Sequence, residues 1–170
     1  MTQTSQDLFA YLAGLGIETR TVSHEAVFTV EESQDLRGRQ DLSGEPGAHT
    51  KNLFLWDRKD GYFLVTALES ATVSLKGLHR KIGAAGRLSF GSAQAMLEML
   101  GVTPGAVTPF GLVNDTGRRV TFILDPNLAR ADVINCHPLV NTMTTSIRTP
   151  DLVRFLEATG HPPRIVDLSE

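Results

Sequence analysis

Three groups of residues have the types and spacing from which chemistry can be built. Lys51 heads the apolar run Asn52-Leu-Phe-Leu-Trp56 and follows a polar stretch, Gln40 to Ala48, that contains Gly44 and Pro46-Gly47. A cation at a strand end beside a loop is placed to hold a phosphate or polarise a carbonyl. The same position suits an ordinary surface lysine. Gly105-Ala-Val-Thr108-Pro109-Phe110-Gly111 puts two glycines and a proline into seven residues. Such a loop has a fixed path and admits a ligand closely, so its N–H groups can face a developing oxyanion. It serves equally as a tight connection between a helix and a strand. In Cys136-His137-Pro138-Leu-Val-Asn141-Thr142, Pro138 forces His137 to be extended at the end of a strand-like run. Asn141 and the hydroxyls of Thr142, Thr144 and Thr145 supply neutral donors and acceptors nearby. The imidazole is open to three roles: general acid or base, pocket wall, or structural hydrogen bond.

Other site types find little support. The five histidines, His24, His49, His79, His137 and His161, are dispersed, with no HExxH and no paired zinc spacing. The single cysteine, Cys136, excludes an internal disulfide and a cysteine-based metal cluster. Cys136 and His137 are chain neighbours, so in a strand they point to opposite faces and make no thiol–imidazole dyad. Cys136 then reads as a small buried hydrophobe. Neither a P-loop nor a G-x-S-x-G elbow occurs.

The elements that position these groups follow from periodicity. Leu8, Tyr11, Leu12 and Leu15 give a helix over 5–15 that Gly16 closes. Thr19 to Val22 reads as a strand. Thr29-Val-Glu-Glu32 forms a capping box for a short helix to about Arg37. Lys51–Trp56 and Tyr62–Leu68 are strand-like and joined by a hairpin ending in Asp60-Gly61. Ser74–Ile82 and Ser92–Leu100 are amphipathic helices, the second closed by Gly101. Arg119–Leu124, Asp132–Cys136 and Thr144–Ile147 are further strands. Thr149 and Pro150 open a last helix, with Thr149 at the cap and Gly160 at the end, and Ile165-Val166 adds an edge strand. Helices and strands interleave without a strict βαβ rhythm. The fold class is therefore α/β in the α+β sense, with a mixed, mostly antiparallel sheet flanked by helices.

The chain's 170 residues suffice for one domain with a real core, so residues 1–170 are expected to form a single domain. A 41% hydrophobic and 21% charged composition argues against disorder. A polar start and the lack of about 18 consecutive apolar residues predict no signal peptide and no membrane span, hence a cytoplasmic protein. A net charge of −3 and the absence of a helix-turn-helix pattern disfavour specific DNA binding. Between Ser70 and Leu97, however, there is no acid, while Lys76, Arg80, Lys81 and Arg87 all fall inside. That window suits an RNA phosphate backbone or a plain solvated helix face.

Taken in order, K-N-L-F-L, then G-x-x-x-P followed by F-G-L, then H-P-L-V-N-T resembles the YbaK-like family of aminoacyl-tRNA editing domains. That family includes the domain inserted in bacterial prolyl-tRNA synthetases and its free-standing relatives. The likeness runs from about Leu8 to Leu156 and is strongest to the stand-alone branch that deacylates Ala-tRNA(Pro). It implies a bacterial protein that trans-edits mischarged tRNA(Pro), with no cofactor and no metal, and prolyl-tRNA synthetase or the elongation machinery as further partners. Carried over, the catalytic positions are Lys51, Gly105, Pro109 and His137. Asn52, Thr108, Phe110, Gly111, Asn141 and Thr144 line the substrate site, and Lys76, Arg80, Lys81 and Arg87 meet tRNA. Within that likeness Lys51 anchors the phosphate or ester end, the Gly105–Pro109 backbone fixes the ester, and His137 limits pocket size. The alternatives are a non-catalytic tRNA-binding or synthetase-associated module, and a deacylase of Cys-tRNA(Pro) or another aminoacyl-tRNA.

Overall fold

The computed structural model describes residues 2–26, 29, 31, 32, 34 and 47–169. Helix α1 (Ser5–Gly14) opens on a capping box one residue earlier than its apolar stripe requires: Thr4 Oγ1 accepts from the Asp7 N–H, and Asp7 accepts from the Thr4 N–H. Strand β1 (Thr19–Ser23) follows. The Thr29 hydroxyl accepts from the Glu32 N–H at 3.0 Å, as the capping box predicts. Most of the predicted helix to Arg37, and the loop from Gln40 as far as residue 46, lie outside the described residues.

Strands β2 (Ala48–Trp56) and β3 (Tyr62–Leu68) form the predicted hairpin. Its turn is organised by Asp57, which accepts from the Lys59 and Gly61 N–H groups and, across to another loop, from Ala85. Helix α2 (Leu75–Lys81), strand β4 (Ser89–Phe90) and helix α3 (Ala93–Leu100) come next. Ser92 caps α3, and Gly101 closes it at φ 66°. A 3₁₀ turn (Pro109–Asn114), strand β5 (Val120–Leu124), the single turn α4 (Pro126–Ala129) and strands β6 (Val133–Cys136) and β7 (Met143–Arg148) complete the middle. Helix α5 (Thr149–Ala158) and strand β8 (Arg164–Ile165) end it. Thr149 is not the cap of α5 but its first residue, because its hydroxyl donates to the Ala131 carbonyl instead.

The sheet runs β1-β7-β6-β2-β3-β5-β8, with β4 added on β2. It is mixed and leans antiparallel: β1–β7, β7–β6, β2–β3 and β2–β4 are antiparallel, and β6–β2, β3–β5 and β5–β8 are parallel. Alternation along β2 and β3 feeds two cores. Phe54 and Leu64 face a large core with α1, α3, α5 and the 3₁₀ turn, centred on Phe110, Phe122 and Phe155. Leu55, Phe63, Val65 and Ala67 face a smaller one closed by Leu78 and Ile82 near α2 and by Leu168. Covered on both sides, β3 is a near-continuous apolar run.

Candidate active site

Strand β2 has three neighbours. Along one side runs β3; on the other, only Ala48 and His49 pair with β6, and only Leu55 and Trp56 pair with β4. Between those pairings, residues 50–54 have no strand on that side among the described residues, and β6 ends at Cys136. Diverging parallel strands leave a crevice at their carboxyl ends, the usual place for a ligand in such sheets. A cavity of about 30 Å³ sits there, lined by His49, Thr50, Glu69, Asn135, Cys136, His137 and Thr144. That volume holds a water or two.

His137 is the best-defined group in the crevice. Its Nδ1 lies 2.9 Å from the Met143 carbonyl, which only accepts, so Nδ1 carries the proton and Nε2 keeps its lone pair. Burial pushes the imidazole below its ordinary value and outweighs the hydrogen bond to the Met143 carbonyl, which works the other way, and the nearby His24 lowers it further. The ring is therefore neutral at pH 7. The following turn is pinned from both sides. Leu139 takes φ 71°, a strained value for a leucine, but its side chain is buried in the large core. Ser5 Oγ donates to the Pro138 carbonyl.

Register places Thr144 beside His137, since Cys136 pairs with Thr145. The Thr144 hydroxyl is 2.8 Å from His24 Nε2, and the His24 and His137 rings are 6.2 Å apart. His24 Nδ1 lies 2.7 Å from the Glu25 carbonyl, so Nδ1 donates there. Asn135, nearly fully buried, accepts from the Ser146 hydroxyl and donates to the Ala48 carbonyl. Cys136 faces the opposite way, into the large core, and burial pushes its thiol up to about 12. It is the small hydrophobe that the alternation predicted.

Of the sequence-predicted residues, His137 and Thr144 line this cavity, and Asn141 is half-buried in the turn between them. Lys51 is half-buried two residues beyond His49 on the same face of β2, its Nζ donating to the Ala71 carbonyl. Asn52 points to the other face and accepts from Thr66 Oγ1 at 2.6 Å. The 105–111 loop packs through the large core that also receives Cys136 and Leu139. Gly105 needs its glycine, at φ 94°, and Ala106 N–H closes the turn onto Thr103. Thr108 is fully buried and caps the 3₁₀ turn, and Pro109 begins it. Phe110 is fully buried, its ring 5.4 Å from Phe155. Gly111 passes so close to Leu100 that a Cβ would meet that residue's Cβ at 2.9 Å. None of these loop residues lines the small cavity.

Lys76, Arg80 and Arg87 are exposed. Lys81 is also exposed, but its ammonium donates to the Asp167 and Ser169 carbonyls and holds down the C-terminal segment. His24, His49, Glu69 and Asn135 were not read as site residues from the sequence. Period-2 alternation combined with strand order places His49 and Asn135 on one face, whereas His24 and Glu69 lie just past the ends of β1 and β3 and carry no such signal. Among the described residues no group of three His, Cys, Asp or Glu side chains is arranged to hold a metal ion.

A family profile described as "Aminoacyl-tRNA editing domain" matches residues 24–155. The chain is 40% identical over 163 residues to the Danio rerio "Prolyl-tRNA synthetase associated domain-containing protein 1", covering 95% of this chain and 85% of that one. It is 33% identical over 164 residues to the "Prolyl-tRNA editing protein ProX" of Acetoanaerobium sticklandii, covering 96% of each. A solved structure described as a candidate trans-editing enzyme for prolyl tRNA synthetase superposes with a TM-score of 0.70 at 20% identity, over 100% of this chain and 99% of that one, and bears out the fold. Vertebrate and bacterial relatives both occur, so the bacterial origin that the resemblance implied is not what these matches single out. On the profile match and these relatives, the chain belongs to the aminoacyl-tRNA editing domain family.

Proposed function

We propose that this protein is a trans-editing deacylase that hydrolyses the ester of mischarged tRNA(Pro), with Ala-tRNA(Pro) as its substrate. The observation that carries the reading is the neutral His137 imidazole, its tautomer fixed by Met143, walling a water-sized cavity on the face that also bears Lys51. An aminoacyl ester is already labile, so positioning and electrostatic support are the main requirements. Water adds to the carbonyl carbon and the C–O bond to the ribose breaks. The amino acid leaves as its acid, and the ribose oxygen takes the proton that water gives up. The substrate's own ribose hydroxyl assists in orienting that water.

Lys51 would exchange the Ala71 carbonyl for a phosphate or the ester end, a partner of full charge. On the family resemblance the backbone from Gly105 to Pro109 would hold the ester and its oxyanion, with Asn141 and Thr144 as the neutral polar groups near His137. Asn52, bonded to Thr66 on the other face of β2, and the buried Thr108, Phe110 and Gly111 would have supporting roles. His137 would set the size limit. Extra methylenes discriminate by only about 1–3 kcal/mol in a fitted pocket, so rejection of proline must be steric. Lys76, Arg80 and Arg87 would meet the RNA, with Lys81 divided between RNA and the C-terminal segment. The test is a deacylation panel of Ala-, Cys-, Ser- and Pro-tRNA(Pro) with purified protein and no added metal. Loss of Ala with Pro spared is the expected pattern. Binding of Ala-tRNA(Pro) without turnover would refute it.

A further inference from the structure

The end of the sheet remote from the crevice carries a surface that takes no part in cleaving the ester, and of its residues only Arg87 figures among the RNA contacts proposed above. Ser89 of β4, Trp56 of β2, Tyr62 of β3 and Val120 of β5 stand in register across four strands. At about 4.8 Å per strand the row is about 14 Å wide. Trp56 is six residues beyond Thr50, so the row lies about 20 Å from the crevice at about 3.3 Å per residue.

Three connections meet along this row: 57–61, 83–88 and 115–119. Arg58 donates its N–H to the Ala85 carbonyl at 3.0 Å, and the Asp57 carboxylate accepts from Ala85 at 2.9 Å, so the first two are locked together. The Arg119 guanidinium lies 5.7 Å from the Tyr62 ring centre, which brings the third alongside. These connections expose five cations: Arg58, Lys59, Arg87, Arg118 and Arg119. Their acids are Asp57, Asp60 and Asp115. Two of these are buried and bound to backbone N–H groups, which leaves Asp60 as the exposed carboxylate. Trp56, 37% exposed, and Phe90, 62% exposed, emerge at the same end on opposite faces.

We propose that this end of the sheet is a docking surface for the ribose-phosphate backbone of an RNA, separate from the site that cleaves the ester. The identity of that RNA as the aminoacylated substrate rests on the editing reading above. The excess of cations answers a polyanion, in a protein whose net charge over the whole chain is −3. Arginine supplies four of the five, with a planar fork suited to phosphate, and exposed aromatic rings beside it suit stacking on a base or sugar. An acidic protein would satisfy the charges but gains less from that pairing. The 20 Å offset means that this surface and the crevice engage different parts of one RNA.

The experiment titrates uncharged tRNA(Pro) onto the full chain across a salt series, which needs no hydrolysis. Arg87→Gln with Arg119→Gln removes a cation from each flank, and Arg130→Gln with Arg154→Gln is a control of equal charge change elsewhere. Losing two phosphate contacts should reduce the slope of log K against log[salt] by about 1.4–1.8. The control pair should keep the wild-type slope. An unchanged slope in the first pair, or an equal loss in both, overturns the proposal. Circular dichroism of each variant excludes misfolding as the cause. The wild-type deacylation panel run in parallel decides the editing reading separately.

Discussion

Replacing Asp115 by alanine probes how the 3₁₀ turn that begins within the 105–111 loop is held to the rest of the protein. The carboxylate is buried and satisfies three donors. Oδ2 accepts from Val120 N–H at 2.8 Å and from His161 Nε2 at 2.8 Å, and Oδ1 accepts from Arg119 N–H at 3.1 Å. Its partner His161, at the end of α5, is equally buried, so the pair ties that helix to the start of β5. Three orphaned donors cost about 1–3 kcal/mol each if they stay dry. The exposed residues 116–119 let water reach part of the gap. The net destabilisation of Asp115→Ala should therefore be about 3–5 kcal/mol, the lower part of the range that three dry orphaned donors would give. For a domain of this size that lowers Tm by about 6–20 °C. Burial raises the Asp115 carboxyl, but the hydrogen bond from His161 and the two backbone N–H groups outweigh it and hold the group below its ordinary value. The stability it contributes is thus complete above about pH 4 and lost as pH falls through the lower, folded value. Differential scanning calorimetry of wild type and variant from pH 7 to 3 measures both. A cost below about 1 kcal/mol, or a difference that vanishes already above pH 5, refutes the reasoning.

Lys51→Ala should lower kcat/KM for Ala-tRNA(Pro) deacylation by at least about tenfold, the loss of one charge-assisted hydrogen bond; full retained activity removes its anchoring role. His137→Ala should widen the range of amino acids hydrolysed in the same panel, and unchanged selectivity rejects the size-limiting role. Because His137 is held below its ordinary value, its neutral form prevails from about pH 6.5 upward and is lost as pH falls through the lower, folded value. NMR titration of its ring should show a midpoint under about 6.5, and one above that contradicts the burial argument. Cys136, pushed up to about 12, should resist iodoacetamide at pH 8 in the native protein and react once unfolded; rapid native labelling would show the thiol exposed. Phe110→Ala should cost about 3–5 kcal/mol in urea denaturation, as a large side chain lost from a packed core, and a cost below about 1 kcal/mol would show the site is not packed as described.

Periodicity and local chemistry carried far along this chain. The stripe of Leu8 and Leu12, the Ser92 cap with Gly101 closing α3, the Asp57–Gly61 hairpin and the alternation that buries Cys136 while turning His137 outward all follow from interactions a few residues long. The ordered triplet of Lys51, the 105–111 loop and the His137 corner was enough to identify the family. Short elements escaped, among them β4, α4 and the 3₁₀ turn at Pro109, because two to six residues leave no readable period. Local sequence places the cap of α5 at Thr149, one residue late, because it cannot show that the Ala131 carbonyl takes the Thr149 hydroxyl from 18 residues away.

What only the tertiary structure decided is where the strands part. No local pattern states that β2 touches β6 over just two residues and β4 over two more, and the crevice exists because of those partial pairings. The same holds for His24, which reaches Thr144 from 120 residues away, and for the Met143 carbonyl that fixes the His137 tautomer. It holds too for the five cations gathered at the far end from three separate loops. Helix stripes, caps and turns are short-range and so are written in the sequence. Sheet order and the meeting of distant side chains depend on the balance of the whole packed core.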